Sequence, residues 1–113
     1  MELYTYNFSL TRVIDGDTII GDIDLGFDLI LKNQSVRFIG INTPEIRGSS
    51  KEDGLLVKKF VTSFLKDKNL IVQSYDRDSF GRVLGEVFYL DLDNYWYSVT
   101  DLLLDLNMGV IYK

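Results

Sequence analysis

Apolar and polar positions along this chain follow two rhythms, and the changes between them mark out its elements. Residues 4 to 10, YTYNFSL, put Tyr4, Tyr6, Phe8 and Leu10 on one face and Thr5, Asn7 and Ser9 on the other. That alternation predicts a half-buried β-strand. The stretch VIDGDTII is apolar, then Asp-Gly-Asp, then β-branched, and Asp-Gly between strand-like runs is a strong hairpin signal. A second strand is expected from about Thr18 towards Leu25. A turn at Gly26-Phe27-Asp28 then leads into a third, Leu29 to Ile41, bent near Asn33-Gln34-Ser35.

The rhythm changes at Ser49. SSKEDGLLVKKFVTSFLKDKN sets Leu56, Phe60 and Phe64 beside Val57, Val61 and Leu65 at i, i+4, i+8 spacing, one face of a helix. Ser49 with Glu52 fits a capping box, Lys66 and Lys68 suit the negative C-terminal end of the dipole, and Asn69 ends the helix. NLIVQSYD and RVLGEVFYLD read as two more strands joined through DRDSFG. After a turn at DNYW, SVTDLLLDLNMG reads as a short helix. Ser98 caps it, Val99, Leu102, Leu103 and Leu106 form its buried stripe, and Gly109 is its left-handed stop. Three strands, a helix, two strands and a helix is the element order of an α+β, mainly β fold: a five-stranded OB-type barrel with a helix between strands 3 and 4 and a short C-terminal helix. No repeat, linker or low-complexity segment interrupts it, so residues 1–113 are expected to form one domain around one core.

Composition narrows the chemistry. The chain has no cysteine and no histidine, which removes disulfides, thiolates, His general bases and most zinc sites. Catalysis, if present, must rest on carboxylates, Arg, Lys, Tyr or a hard metal ion. The net charge of −5 argues against indiscriminate duplex binding, yet five lysines (51, 58, 59, 66, 68) face only three acids between positions 51 and 68. No apolar run approaches the length of a membrane span and no signal-peptide pattern opens the sequence, so a cytoplasmic protein that does not engage membranes is expected.

Four polar clusters remain. Each alone has a plain structural explanation: Asp15-Gly16-Asp17-Thr18 as a hairpin turn, Arg37 as an outward-pointing strand residue, Asn42-Thr43-Pro44-Glu45 as a turn, and DRDSFGR (76 to 82) as a solvated hairpin. Together they are a consistent kit. Hard divalent cations take carboxylate, amide and backbone oxygens; two guanidiniums fork onto the oxygens of a phosphodiester that gains charge during hydrolysis; and an attacking water needs a carboxylate base.

The same residues carry a resemblance. IDGDT, VRFIGINTPE, a lysine-bearing amphipathic helix and DRDSFGR, in that order, resemble the staphylococcal nuclease (thermonuclease) family along nearly the whole chain. The apolar segment DIDLGFDLILK looks like compact, phage-encoded relatives. The resemblance implies hydrolysis of DNA or RNA phosphodiesters with Ca²⁺, Mn²⁺ and Mg²⁺ being lesser candidates. It implies metal ligation by Asp17, Asn42 and the Thr43 carbonyl, with Asp15 nearby. It makes Glu45 the general base and Arg37 and Arg82 the phosphate-gripping arginines. Asp78 would shape the loop before Arg82, and Lys58, Lys59 and Phe80 would contact nucleic acid. The sequence departs from the family pattern at Asn42, which keeps an oxygen but drops a charge. The best-known member's final helix and base-stacking tyrosines fall beyond Lys113, leaving Phe80 as the candidate stacking face. The expected partner is single-stranded or locally opened nucleic acid, and the expected state a monomer. The alternatives are a non-catalytic OB module that binds single strands, and an OB-type oligosaccharide or protein adaptor.

Overall fold

The computed structural model describes residues 3–112; Met1, Glu2 and Lys113 lie outside the described residues. Two long strands, β1 (Thr5–Asp15) and β2 (Thr18–Gly26), form the Asp-Gly hairpin, and β3 (Leu29–Phe38) completes a meander. A two-residue strand β4 (Ile41–Asn42), a 3₁₀ turn (Gly48–Ser50) and helix α1 (Lys51–Leu65) follow. Then come β5 (Leu70–Arg77), β6 (Val83–Leu90), β7 (Trp96–Ser98), α2 (Val99–Asp105) and β8 (Val110–Ile111).

The main sheet runs β3-β2-β1-β5-β6, and parallel pairing of β3 with β6 (Val36 opposite Val83, Phe38 opposite Gly85) closes it into the five-stranded OB-type barrel. β7 extends β6, and β4 pairs with β8. Closure needs curvature, which irregularities in the ladders between Leu10 and Arg12, Gly21 and Ile23, and Ser74 and Asp76 provide. They also explain why alternation in β1 is legible only as far as Leu10. Past the first irregularity the inward set changes parity, from Phe8 to Val13, both buried. The expected bend in β3 falls at Asn33, whose φ is +55°. The strand expected to reach Ile41 instead stops at Phe38, because Gly40 (φ +83°) turns the chain and sends Ile41 to pair with Ile111. Tyr4, expected in β1, lies before it with φ +60° and is exposed. Ile19, Val36, Phe38, Val72 and Val87 fill the barrel, and Val61, Leu65 and Leu103 pack onto it from the helices.

Both helices sit slightly differently from their sequence patterns. In α1 the buried line is Gly54, Val57, Val61 and Leu65. Phe60 and Phe64 flank it, their rings stacked 5.5 Å apart, with Phe64 edge-on to Tyr89 at 4.9 Å. Leu56, expected in the stripe, is 65% exposed. No Ser49–Glu52 capping box forms: Ser49 belongs to the 3₁₀ turn, and Ser50 occupies the cap position without capping. The Ser50 hydroxyl instead donates to the carbonyls of Glu45 (2.9 Å) and Arg47 (3.2 Å), tying down the preceding loop. The helix ends at Leu65, so Lys66 and Lys68 lie in the turn after it rather than in its last turn. In α2 the Ser98 cap is as expected, its oxygen accepting from the Asp101 N–H. The buried residues are Val99, Thr100 and Leu103, with Leu102 half-buried and Leu106 exposed. The left-handed residue after it is Asn107 (φ +58°) rather than Gly109.

Gly54 fixes where α1 sits. A Cβ there would fall 2.5 Å from the Glu45 carbonyl oxygen and 2.8 Å from that of Pro44. Gly→Ala inside a helix ordinarily stabilises by roughly 0.5–1 kcal/mol. Here the added methyl meets backbone, and overpacking costs about 1–3 kcal/mol, so Gly54→Ala should lower the urea midpoint of unfolding. A higher midpoint would show that the loop carrying Glu45 is free to move off the helix.

Candidate active site

The β1–β2 turn is compressed from two sides. A Cβ on Gly16 would lie 2.5 Å from a Val57 methyl and 2.7 Å from the Thr43 hydroxyl, so the turn presses at once against α1 and the loop after β4. That contact brings Asp17 under the loop. Asp17 is 8% exposed. Its Oδ2 accepts from the Thr43 N–H at 3.0 Å and its Oδ1 from the Thr18 hydroxyl at 3.2 Å. The Asp17 N–H donates to Asp15 Oδ1 at 3.2 Å, folding the second carboxylate back over the first. The Asp17 carbonyl accepts from the Phe38 N–H at 2.9 Å, which stitches the turn to the end of β3.

Arg37, one residue before that junction, turns its guanidinium into the same space. Its Nη2 donates to Asn42 Oδ1 at 2.5 Å and lies 3.6 Å from Asp17 Oδ2, while Nη1 donates to the Phe38 carbonyl. Arg82 approaches from the β5–β6 hairpin. Asp78 Oδ1 accepts the N–H groups of Phe80 and Arg82, and its Oδ2 accepts from Arg82 Nε at 2.6 Å. Partial burial opposes the charge on Asp78, but the bonds from Arg82 and Phe80 outweigh it and hold this carboxyl below its ordinary range. The Phe80 ring lies 5.8 Å from the Arg82 guanidinium, which leaves the far face of the ring open. Glu45 stands at the rim, largely exposed, with Arg47 Nε 3.6 Å away.

These residues converge on one cleft of about 530 Å³, lined by Asp15, Asp17, Arg37, Asn42, Thr43, Glu45 and Arg82. Asp78 stands behind Arg82 rather than in the lining, and Phe80 flanks it from outside. Lys58 and Lys59 are on α1 and do not line the cleft. Sequence patterns gave no hint of Arg47, which does line it, or of Tyr112, whose ring lies 6.0 Å from the Arg37 guanidinium. Tyr112 is delivered by the β4–β8 pairing, its N–H bonded to the Gly40 carbonyl, a contact between distant segments that no local pattern encodes.

Residues 35–105 match the model of the staphylococcal nuclease homologue family. The chain belongs to the staphylococcal nuclease family. A thermonuclease of Staphylococcus hyicus is 33% identical over 88 residues, covering 72% of this chain and 47% of that protein. The chain thus spans about half the length of this curated relative. The family-model match takes in Arg37, Asn42, Thr43, Glu45, Asp78 and Arg82; the Asp15–Asp17 turn precedes it.

For a metal of the kind used in the staphylococcal nuclease family, the donors at hand are all oxygen: two carboxylates, an amide and a backbone carbonyl. Among the described residues no cluster of three or more acids is placed to cage an ion, so the charge on offer is low. The crowding of that charge still fits a hard cation. Burial, and then Asp17 beside it, push the Asp15 carboxyl up to about 6 from 3.8. The folded protein therefore retains a proton that the unfolded chain releases near 3.8. The stability linked to Asp15 is complete below that pH and is lost as pH rises through about 6. In chelator-treated protein, Asp15→Asn should remove this decline and be the more stable form at pH 7, measured by urea unfolding across pH 4 to 7. Parallel pH profiles for the two proteins would refute the crowding.

Proposed function

We propose that this chain is a Ca²⁺-dependent nuclease that hydrolyses the phosphodiesters of single-stranded or locally opened DNA or RNA. The observation that carries the proposal is the meeting of Arg37, Arg82, Glu45 and the Asp17–Asn42–Thr43 oxygens in one cleft. Asp17, the Asn42 amide and the Thr43 carbonyl would hold the ion, which when bound supplies positive charge beside the attacked phosphate.

The protein's own groups have separable tasks. Glu45, solvated at the rim, takes a proton from a water whose oxygen attacks phosphorus; the bond to the leaving oxygen breaks, and that oxygen takes a proton from solvent to leave as an alcohol. Arg37 exchanges its Asn42 contact for phosphate oxygens that gain charge. Arg82, aimed by the Asp78 fork, does the same from the opposite wall. Thr43 holds Asp17 through its N–H and leaves its own carbonyl for the ion. Lys58 and Lys59, outside the cleft, contribute phosphate attraction without touching the reacting atoms.

A non-catalytic single-strand binder is favoured by one observation, the neutral Asn42 where a charged ligand would strengthen a metal site. A solvent-facing carboxylate at Glu45 opposes it, since it repels a polyanion unless it has chemistry to perform. Single-stranded DNA and RNA incubated with Ca²⁺ should both be tested for cleavage, with excess EGTA as the control. Cleavage that persists undiminished in EGTA would refute the calcium requirement.

Arg37→Lys keeps the charge and loses the planar fork, so kcat at saturating substrate should fall by ~10²–10³, the loss typical of a donor aimed at developing charge. Lys59→Ala should change kcat little and raise the salt-sensitive KM. Equal, small losses in both would make Arg37 an ordinary binding residue.

A further inference from the structure

A second and larger groove, about 770 Å³, lies between the middle of β1, the C-terminal end of α1 with the turn after it, and the β6–β7 ladder. It shares no lining residue with the carboxylate–arginine cleft, yet the two adjoin along β1: Val13 lines the groove, Ile14 and Asp15 the cleft. From Arg12 to Asp15 an extended strand advances roughly 10 Å.

The walls of this groove are unlike the chain as a whole, which carries 17 acids against 12 bases. Arg12, Lys66 and Lys68 line it, opposed by Asp67 alone. Arg12 and Lys66 are exposed, and neither forms an ion pair among the described residues. Lys68 is held with its ammonium 4.5 Å from the centre of the Phe64 ring. The other polar lining groups are hydroxyls and amides. At the rim stands Trp96, the chain's single tryptophan, 41% exposed. Unpaired cations beside an accessible aromatic face are what an unstacked nucleic-acid strand needs, charge for the backbone and a platform for a base.

We propose that this groove binds the sugar-phosphate backbone of a single strand whose scissile phosphate lies in the neighbouring cleft, with a base stacked on Trp96. The proposal rests on the nuclease reading for the direction of the strand. It differs from that reading in its residues, none of which touches the reacting atoms.

Binding is measurable without cleavage. Metal-free protein in EDTA, titrated with an oligothymidylate of about twelve nucleotides, within the site sizes of such folds, should show quenched Trp96 emission. In the same buffer, anisotropy of an end-labelled oligonucleotide should show Arg12→Ala/Lys66→Ala binding about tenfold more weakly. The double variant should also lower the magnitude of the log–log salt slope by about 1.4, since each single-strand phosphate contact contributes about 0.7. Arg12→Lys should retain the wild-type slope. With Ca²⁺, the double variant should raise KM for a long single strand and leave kcat and the cleavage of a dinucleotide-length substrate unchanged. Unchanged Trp96 emission at saturation, or wild-type affinity and salt slope in the double variant, would overturn the proposal. Oligonucleotide binding that quenches Trp96 and depends on Arg12 and Lys66, in a protein that cleaves nothing, would support the groove and refute the nuclease reading.

Discussion

The cleft depends on the buried Asp17 carboxylate. Its two oxygens accept from the Thr18 hydroxyl at the start of β2 and from the Thr43 N–H on the loop after β4, and Arg37 from β3 lies beside it. One side chain thus joins the β1–β2 turn, the end of β3 and the loop that carries Glu45. A buried carboxylate without partners is costly, so the fold is held to arrangements that keep all three segments around it. The close seating of Gly16 on Thr43 and Val57, and of Gly54 on the Glu45 backbone, makes that arrangement sterically accessible. A side chain at position 54 would press on the Glu45 and Pro44 carbonyls, and one at position 16 on the Thr43 and Val57 side chains, so each glycine lets the loop sit close.

Arg37 shows why an arginine interrupts an apolar strand. Position 37 alternates with buried Val36 and Phe38 and points to the other face of β3, where the barrel wall meets the cleft. Its guanidinium donates there to the Phe38 carbonyl and the Asn42 amide oxygen, and is ion-paired with the Asp17 carboxylate at 3.6 Å. The Arg37 charge is thereby matched by the buried Asp17 carboxylate, so neither charge is left uncompensated in the wall. The neutral Asn42 matters in this balance. On the proposed nuclease reading, it competes for Arg37 less strongly than a carboxylate would, so moving Arg37 onto a phosphate would cost less while attraction for a cation would fall.

How much of this was legible in the sequence depended on the range of the interaction. Strand alternation, the Asp-Gly hairpin, the Ser98 cap and the four polar clusters are local or carried by family order. The five barrel strands and two helices form, and Asp15, Asp17, Arg37, Asn42, Thr43, Glu45 and Arg82 line one cleft, while the short strands β4, β7 and β8 left no mark in the pattern. The errors lie where tertiary contact overrides local pattern. Leu56 has the right spacing but faces solvent, because the line that meets the barrel runs through Gly54, Val57, Val61 and Leu65. The expected Ser49–Glu52 box does not form because Ser49 lies within the 3₁₀ turn that precedes α1, one residue before the cap position. Gly109 is required because a Cβ there would lie 2.8 Å from the Asn42 carbonyl oxygen, whereas Asn107 makes the turn. Tyr112 and Arg47 reach the cleft through loop and β4–β8 geometry, which leaves no periodic trace.

The net charge of −5 is a poor guide to the field a polyanion would meet. At physiological salt, exposed charges farther apart than about 8 Å are largely screened, so what counts is local grouping. Acids gather on the β2–β3 arm (Asp22, Asp24, Asp28) and on the β6–β7 turn (Asp91, Asp93), and several are engaged locally: Asp22 with Lys32 and the Asn33 N–H, Asp93 with Tyr97 and the Tyr95 N–H. Arg37, Arg47 and Arg82 occupy the cleft, and Arg12, Lys66 and Lys68 the groove beside it. Basic side chains are thus grouped in two neighbouring regions that β1 helps to line, apart from the acids of the β2–β3 arm, so a chain that is acidic overall still presents locally cationic surface.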